Sequence, residues 1–455
     1  MYDILINNGR YPDFEINQLI LGDVAILGGK IEAVGQIDSL AKTVIDAAGC
    51  IVSPGFIDIH MHEEYFDAEG PDYVISKLML QMGVTTAMGG NCGVIHQDLD
   101  HFQSVINKTG GSPIHYRMMS GYNTFRGQLG IDRYKPASKE QIDLIIDLIR
   151  EDLSKGAYGI SFGLEYDPGI TFDEVMQVLN AFPDDNLFVS MHFRSDSIDG
   201  VKEMIRYAVE SKKRFQISHL SSCAARGNME EALALNDQAV FEYPNLDFDT
   251  YPYDAVSTRI GSAVFDGDCF QRWKKDYDCI YVPSGKYKNQ FCTKAMFDEL
   301  RRDDPDRYIV AFTMNEEEIA AAIAHPSCGM VASDGQVKER AGHPRAAGTF
   351  PRILGKYVRE EQVISLIDAL RKMTLTPANR LELYQKGRIE PGCDADITIF
   401  DPQTVCDGAT FQDLFIQPTG IPWVIINGTI AVQNGEMINV NSGHFIKGPY
   451  TTEHP

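Results

Sequence analysis

The pattern of apolar and polar positions divides the chain into three parts. Residues 1–53 alternate in short runs, DILINN, DVAILGGKIEAVG and VIDAAGCIVS, broken by turns that contain Gly and Asn. Alternation at period two marks half-buried strands. The same pattern returns near the other end, in DADITIFD (394–401) and WVIINGTIAVQNGEMI (423–438). There Asn427-Gly428 between two apolar runs predicts a tight hairpin. A single open sheet of about 50 residues buries little core alone. The two ends are therefore expected to pack together as one small β domain, a β-sandwich made of residues 1–54 and 386–455.

The middle, 55–385, has another rhythm. Eight apolar runs recur: FIDIHMH (56–62), VTTAMGGNC (84–92), IHYRMMSGY (114–122), AYGISFGLEY (157–166), LFVSMHF (187–193), RFQISHL (214–220), NLDFDTYPY (245–253) and GMVASDG (329–335). Helical patterns lie between them, as in SKEQIDLIIDLIREDLSKG (138–156), GVKEMIRYAVESKK (200–213) and EEQVISLIDALRKM (360–373). Near-continuous apolar strands alternating with amphipathic helices predict an α/β fold of the (β/α)8 TIM-barrel type. The longest gap falls between the seventh and eighth runs. Its segment 256–306 is irregular in pattern and rich in Tyr, Lys, Cys and Asp, and is expected to be a lid or insertion over the C-terminal face of the barrel.

Composition narrows the function. The 455 residues carry 41 Lys+Arg against 64 Asp+Glu, a net charge of −23. Such acidity argues against nucleic acid and against anionic membrane surfaces as partners. It leaves a small-molecule substrate, even an anionic one, because a few local arginines can outvote the global charge. The nine cysteines show no CxxC spacing, which fits reduced thiols, and no apolar run reaches the length of a membrane span. The N-terminus has no basic region followed by an apolar run. The expectation is a cytoplasmic protein, with a homo-oligomer left open.

Candidate chemistry gathers at the C-terminal ends of the eight runs, where barrel enzymes place their working groups. His60 and His62 are two apart on one strand, so both point to the same side and can reach one ion. Cys92, His192 and His219 complete a Cys/His set with an open position, as catalytic zinc requires, and a soft thiolate favours zinc over magnesium or calcium. Glu165 is either a metal bridge or an acceptor behind the ligands. Asp334, in Ser-Asp-Gly, can take a proton from water and pass it to a leaving amine. Arg194, Arg345 and Tyr253 are candidate substrate clamps, the arginines through bidentate grip on a carboxylate. No phosphate loop, dinucleotide fingerprint or GxSxG elbow is present.

These motifs, taken in order, resemble the N-acyl-D-amino-acid deacylases (D-aminoacylases) of the amidohydrolase superfamily. The resemblance runs through PGFIDIHMH, GGNCG, GLEYDPG, HFRSD, ISHLSS, YPYDAVST, ASDG, AGHPRAAGTFPRILGKYVRE and KGRIEPGCDADITIFDP, and extends to about residue 444, leaving only 256–310 without a counterpart. It implies a distorted barrel, one zinc held tightly by Cys92, His192 and His219, and a second metal position at His60 and His62. It further implies Asp334 as general acid/base, Arg345 aided by Tyr253 on the substrate α-carboxylate, and Tyr166 against the substrate. Two departures stand out: Ser221 and Ser222 follow the SHL of the sixth run, where many members have Lys, and Asp196 stands where Glu is common. The expected reaction is zinc-dependent hydrolysis of an N-acyl-D-amino acid. The alternative is a cyclic amide or imide, or a D-configured dipeptide, opened by the same site.

Overall fold

The computed structural model describes residues 1–66 and 71–452. Residues 67–70 of the expected barrel and 453–455 of the expected β domain lie outside the described residues. The eight apolar runs form eight parallel strands: β1 (Phe56–Asp58), β2 (Val84–Gly89), β3 (His115–Met118, resuming at Ser120–Gly121), β4 (Gly159–Gly163), β5 (Phe188–His192), β6 (Arg214–Ile217), β7 (Leu246–Thr250) and β8 (Met330–Val331). Every residue of β2, β4 and β5 is buried. A strand covered on both faces has no polar side to present, which is why these runs lack alternation.

The strands pair in two parallel arcs. One joins β1, β2 and β3; the other runs from Ser120–Gly121 through β4, β5, β6 and β7 to β8. Met119 links the arcs on one side, its N–H donating to the Gly89 carbonyl at 3.0 Å. On the other side Met61 bridges Gly335, and Asp334 N–H donates to the His60 carbonyl at 2.8 Å. The buried Asp58 carboxylate ties the same pair of strands, accepting from Ser333 N–H at 3.0 Å and His60 N–H at 3.2 Å.

Helices cover the arcs for the reasons visible in the sequence. The helix Lys139–Lys155 starts at a capping box between Ser138 and Gln141 and stops at Gly156, whose φ of 117° an L side chain rarely adopts. Ile142, Ile145, Ile146, Ile149 and Leu153 form its buried stripe and join the main core with residues of β2 to β7.

The chain ends do meet. Ile51–Pro54 pairs antiparallel with Ile397–Phe400 and touches the N-terminal strand at Arg10, so both ends enter one nine-stranded sheet. The hydrogen bonding through this sheet is continuous, with one strand branching off the main path. Pairing the two ends removes two raw edges at once. The expected hairpin joins Trp423–Ile426 to Thr429–Gln433, with Asn427 at φ 49° and Gly428 at φ 70°.

The insertion corrects its expectation of irregularity. Ala255–Arg259, Tyr308–Phe312, Ile280–Val282 and Gln290–Phe291 form a separate four-stranded antiparallel sheet with its own core around Phe265, Trp273, Ile280 and Phe297. Strands of two to five residues are too short to give a periodic signal. Among the described residues, no helix is long and apolar enough to cross a membrane.

Candidate metal centre and substrate chambers

Six of the expected residues converge at the C-terminal ends of the strands. Cys92 Sγ lies 3.3 Å from His60 Nε2, 3.7 Å from His192 Nδ1 and 3.6 Å from His219 Nε2. The last two nitrogens are 3.0 Å apart. His62 Nε2 is 3.3 Å and His60 Nε2 3.7 Å from Asp334 Oδ1. Two overlapping donor groups result: His60, His62, Cys92 and Asp334, and Cys92, His192 and His219, with Cys92 shared.

Local backbone geometry explains how three of these side chains are aimed. Cys92, His219 and Asp334 have φ values of 55°, 35° and 49°, in the left-handed region that costs an L residue of order 1–3 kcal/mol. Each turns sharply where its strand ends. Gly90 and Gly93, at φ 74° and 76°, make the turn that presents the Cys92 thiol. Asp249 pins the turn at His219 by accepting its N–H at 2.8 Å.

The second nitrogen of each imidazole tells which one is free to bind. His192 Nε2 meets Glu165 Oε2 at 3.0 Å, and His219 Nδ1 meets the Ser222 hydroxyl at 2.6 Å. Partners on the outer nitrogens leave His192 Nδ1 and His219 Nε2 to face the thiol, the arrangement of metal-ligating histidines. Two ring nitrogens and a thiol packed this closely repel one another unless a cation or shared protons lie between them. Burial pushes the Cys92 thiol pKa up, but the charge of His60 and then contacts from His192 and His219 outweigh it and hold the thiol well below its usual range. The donor set therefore fits a soft divalent metal. Glu165, left open between bridge and acceptor, stands behind His192 and outside both donor groups.

Asp334 is held as a carboxylate. Burial pushes its pKa up, while Arg345, His219 and His62 together bring it well below the ordinary range. Arg345 Nη2 donates to Asp334 Oδ2 at 2.9 Å, and its Nε and Nη1 are buried with no partner.

Two cavities flank the centre. A narrow inner chamber of about 30 Å³ is lined by Tyr166, His192, Ser222, Arg226, Tyr251 and Trp273 among others. A wider outer chamber of about 320 Å³ is lined by His62, Cys92, Arg133, Tyr166, Arg259 and Tyr308 among others. Asp334 and Tyr166 line both.

None of the three expected clamps lines either chamber; Arg345 reaches the site through Asp334, and the other two are committed elsewhere. Arg194 lines neither chamber; it is committed to Glu203, at 3.0 and 3.1 Å, and to the carbonyls of Pro168 and Ile170. Tyr253 also lines neither; it packs under the Arg352 guanidinium, 4.7 Å from the ring centroid, and against His343. Tyr251 takes the position expected of Tyr253, with Arg345 stacked 4.6 Å over its ring. Their spacing gives both tyrosines the same parity, but β7 ends at Thr250 and Pro252 intervenes, so alternation does not carry to Tyr253. Asp249 was recoverable, as an acid near the C-terminal end of β7. Trp273 and Arg226 carried no sequence signal.

Comparison with known proteins places the fold among those of the amidohydrolases. The Amidohydro_3 amidohydrolase family profile matches residues 301–432. A D-aminoacylase of Alcaligenes xylosoxydans xylosoxydans is 28% identical over 480 residues, covering 98% of this chain and 97% of its own. An N-acyl-D-glutamate deacylase of Bordetella bronchiseptica, solved with zinc and a phosphonate mimic of the tetrahedral intermediate, superposes with a TM-score of 0.86 at 25% identity, covering 98% of this chain and 99% of its own. A D-aminoacylase structure described by one-metal activation and second-metal attenuation gives 0.85 at 25% identity, covering 98% of this chain and all of that one. Over nearly its whole length the chain is similar to the D-aminoacylases and N-acyl-D-amino-acid deacylases of the amidohydrolase superfamily.

Proposed function

We propose that this protein is a zinc-dependent amidohydrolase that cleaves the amide bond of N-acyl-D-amino acids to a D-amino acid and a carboxylate. The observation that carries the reading is the convergence of Cys92, His192 and His219 beside an Asp334 already paired with Arg345. The two arcs and the terminal sheet are read as a distorted (β/α)8 barrel over 55–385 with a small β domain of 1–54 and 386–455. The segment 256–306 is read as a lid that closes the inner chamber, since Val264 and Trp273 line it.

Cys92, His192 and His219 would hold the tighter zinc, and His60 and His62 a second ion. When bound, the metal supplies Lewis acidity that polarises the acyl carbonyl and makes water more acidic. The rest falls to the protein. Asp334 accepts the proton of the attacking water and returns it to the nitrogen as the C–N bond breaks. The free Nε and Nη1 of Arg345 grip the α-carboxylate, at the site where those donors lack a partner. Glu165 fixes the ring of His192, and Tyr166, on the wall of both chambers, packs against bound substrate.

The test is turnover by zinc-loaded protein on racemic N-acetyl amino acids, followed by chiral chromatography. Release of the D enantiomer alone is expected. No release from any member, with ring opening of a cyclic amide or cleavage of a D-dipeptide instead, overturns the substrate class.

A further inference from the structure

The inner chamber contains a cation that the proposed reaction does not use. Arg226 follows the short helix Leu220–Ala224 at the end of β6, and its side chain is only 7% exposed. It donates to the Ser222 carbonyl and, at 2.8 Å, to the Thr313 hydroxyl; its Nε has no partner. The nearest carboxylate, Asp196, is 3.8 Å away. That carboxylate is already claimed by Arg272 Nε at 2.9 Å and by the indole N–H of Trp273. A guanidinium has five N–H donors, so a buried Arg226 keeps donors uncommitted, which is costly unless an acceptor arrives. The other acids on this wall are engaged as well, Glu165 with His192 and Asp334 with Arg345.

We infer that Arg226 selects the substrate side chain, and that the inner chamber takes a short acidic D side chain of the length of aspartate. The inference rests on the deacylase reading. Orientation follows from Arg345, which covers Tyr251, a wall of the inner chamber. A substrate whose α-carboxylate lies on Arg345 puts its amino-acid half on the inner side and its acyl group toward the wider outer chamber. Size follows from the cavity of about 30 Å³. A water needs about 10–15 Å³ by that measure, so the space is that of about two waters, the footprint of one carboxylate. Arg226 is the one Arg or Lys among the lining residues, set among the apolar walls of Phe193, Val256 and Val264 and acids that already have partners.

The test compares wild type with Arg226→Gln and Arg226→Lys, all zinc-loaded, on the N-acetyl derivatives of D-aspartate, D-alanine, D-glutamate and D-methionine. Wild type should favour D-aspartate. Arg226→Gln should lower kcat/KM for D-aspartate by about 10²-fold, the scale for stranding a buried charge, with D-alanine nearly unchanged; Arg226→Lys should restore part of the loss. Calorimetric binding of free D-aspartate should vanish in Arg226→Gln while the metal content stays the same. A wild type that prefers D-alanine, D-glutamate or D-methionine overturns the inference alone, as does an equal loss on every substrate in both variants. A wild type that releases no D-amino acid overturns the deacylase reading, and the inference with it.

Discussion

Two clusters of buried ionisable groups sit at opposite ends of the strands, and they are built to opposite rules. At the N-terminal end, where the terminal sheet meets the barrel, Lys386 pairs with Asp396 and, at 2.9 Å, with Asp394, which also takes Lys30 at 2.5 Å. Asp396 Oδ1 accepts from Asn427 N–H at 2.8 Å, and His115 stands 3.4 Å from its other oxygen. Opposite charges are matched, and neither Lys386 nor Asp396 needs left-handed backbone. At the C-terminal end, Cys92, His219 and Asp334 all have positive φ, and His60, His62 and Arg345 keep nitrogens without partners. The first cluster is matched in charge, with His115 Nε2 its one nitrogen lacking a hydrogen bond, and it fastens two parts of the chain. The second gathers strained backbone and unpartnered nitrogens in one place, as residues able to hold a ligand do. Burial and charge alone do not separate the two; the balance of partners does.

The widest separation is expected from Asp334→Asn. Removing the proton acceptor should lower kcat by about 10²–10⁴-fold, with zinc per chain and the circular dichroism spectrum unchanged. Retained turnover would sink the assigned role. The matching change at the joint, Lys386→Met, leaves Asp396 buried without its cation and should cost about 3–5 kcal/mol. Denaturant titration reads that loss, and kcat per folded molecule should hold; a stable variant with lost activity would reverse the contrast.

A smaller effect is expected behind the metal ligands. Glu165→Gln weakens the acceptor on His192 Nε2 and should reduce zinc affinity about 10–100-fold in chelator competition. Unchanged affinity would mean that Glu165 does not orient the ring.

The smallest effect concerns acid. Burial pushes Asp396 up, but Lys386 and then His115 outweigh it and hold the carboxyl below its ordinary range. A pKa depressed by folding stabilises the protein above the unfolded value, about 3.9, and that stabilisation is lost as pH falls. Denaturation midpoints of wild type should therefore drop between about pH 5 and pH 3. They should drop less in Lys386→Met, where the carboxylate has already lost its main partner; parallel slopes would contradict the assignment.

Legibility differed by element. The strands buried on both faces announced themselves as apolar runs, and the helix Lys139–Lys155 by its stripe and caps, because those signals are local. The insertion was opaque, since its strands are short and its core closes only when Ala255–Arg259 meets Tyr308–Phe312. Within the site, the chemical types at strand ends picked out Cys92, His192, His219 and Asp334. Arg194 and Tyr253, whose types suited a clamp, line neither chamber, because their directions depend on where β5 and β7 stop.

The sequence by itself determined which residues can carry metal and proton chemistry, and that both chain ends are strands. Residue type and period two are written into it. Tertiary structure alone decided which nitrogen of His192 faces the thiol, that Tyr251 rather than Tyr253 lies under Arg345, and that Arg226 enters the inner chamber with donors left over. Those outcomes depend on groups distant in sequence, Glu165, Asp196 and Trp273 among them, whose positions are fixed only after the strands and the insertion have packed.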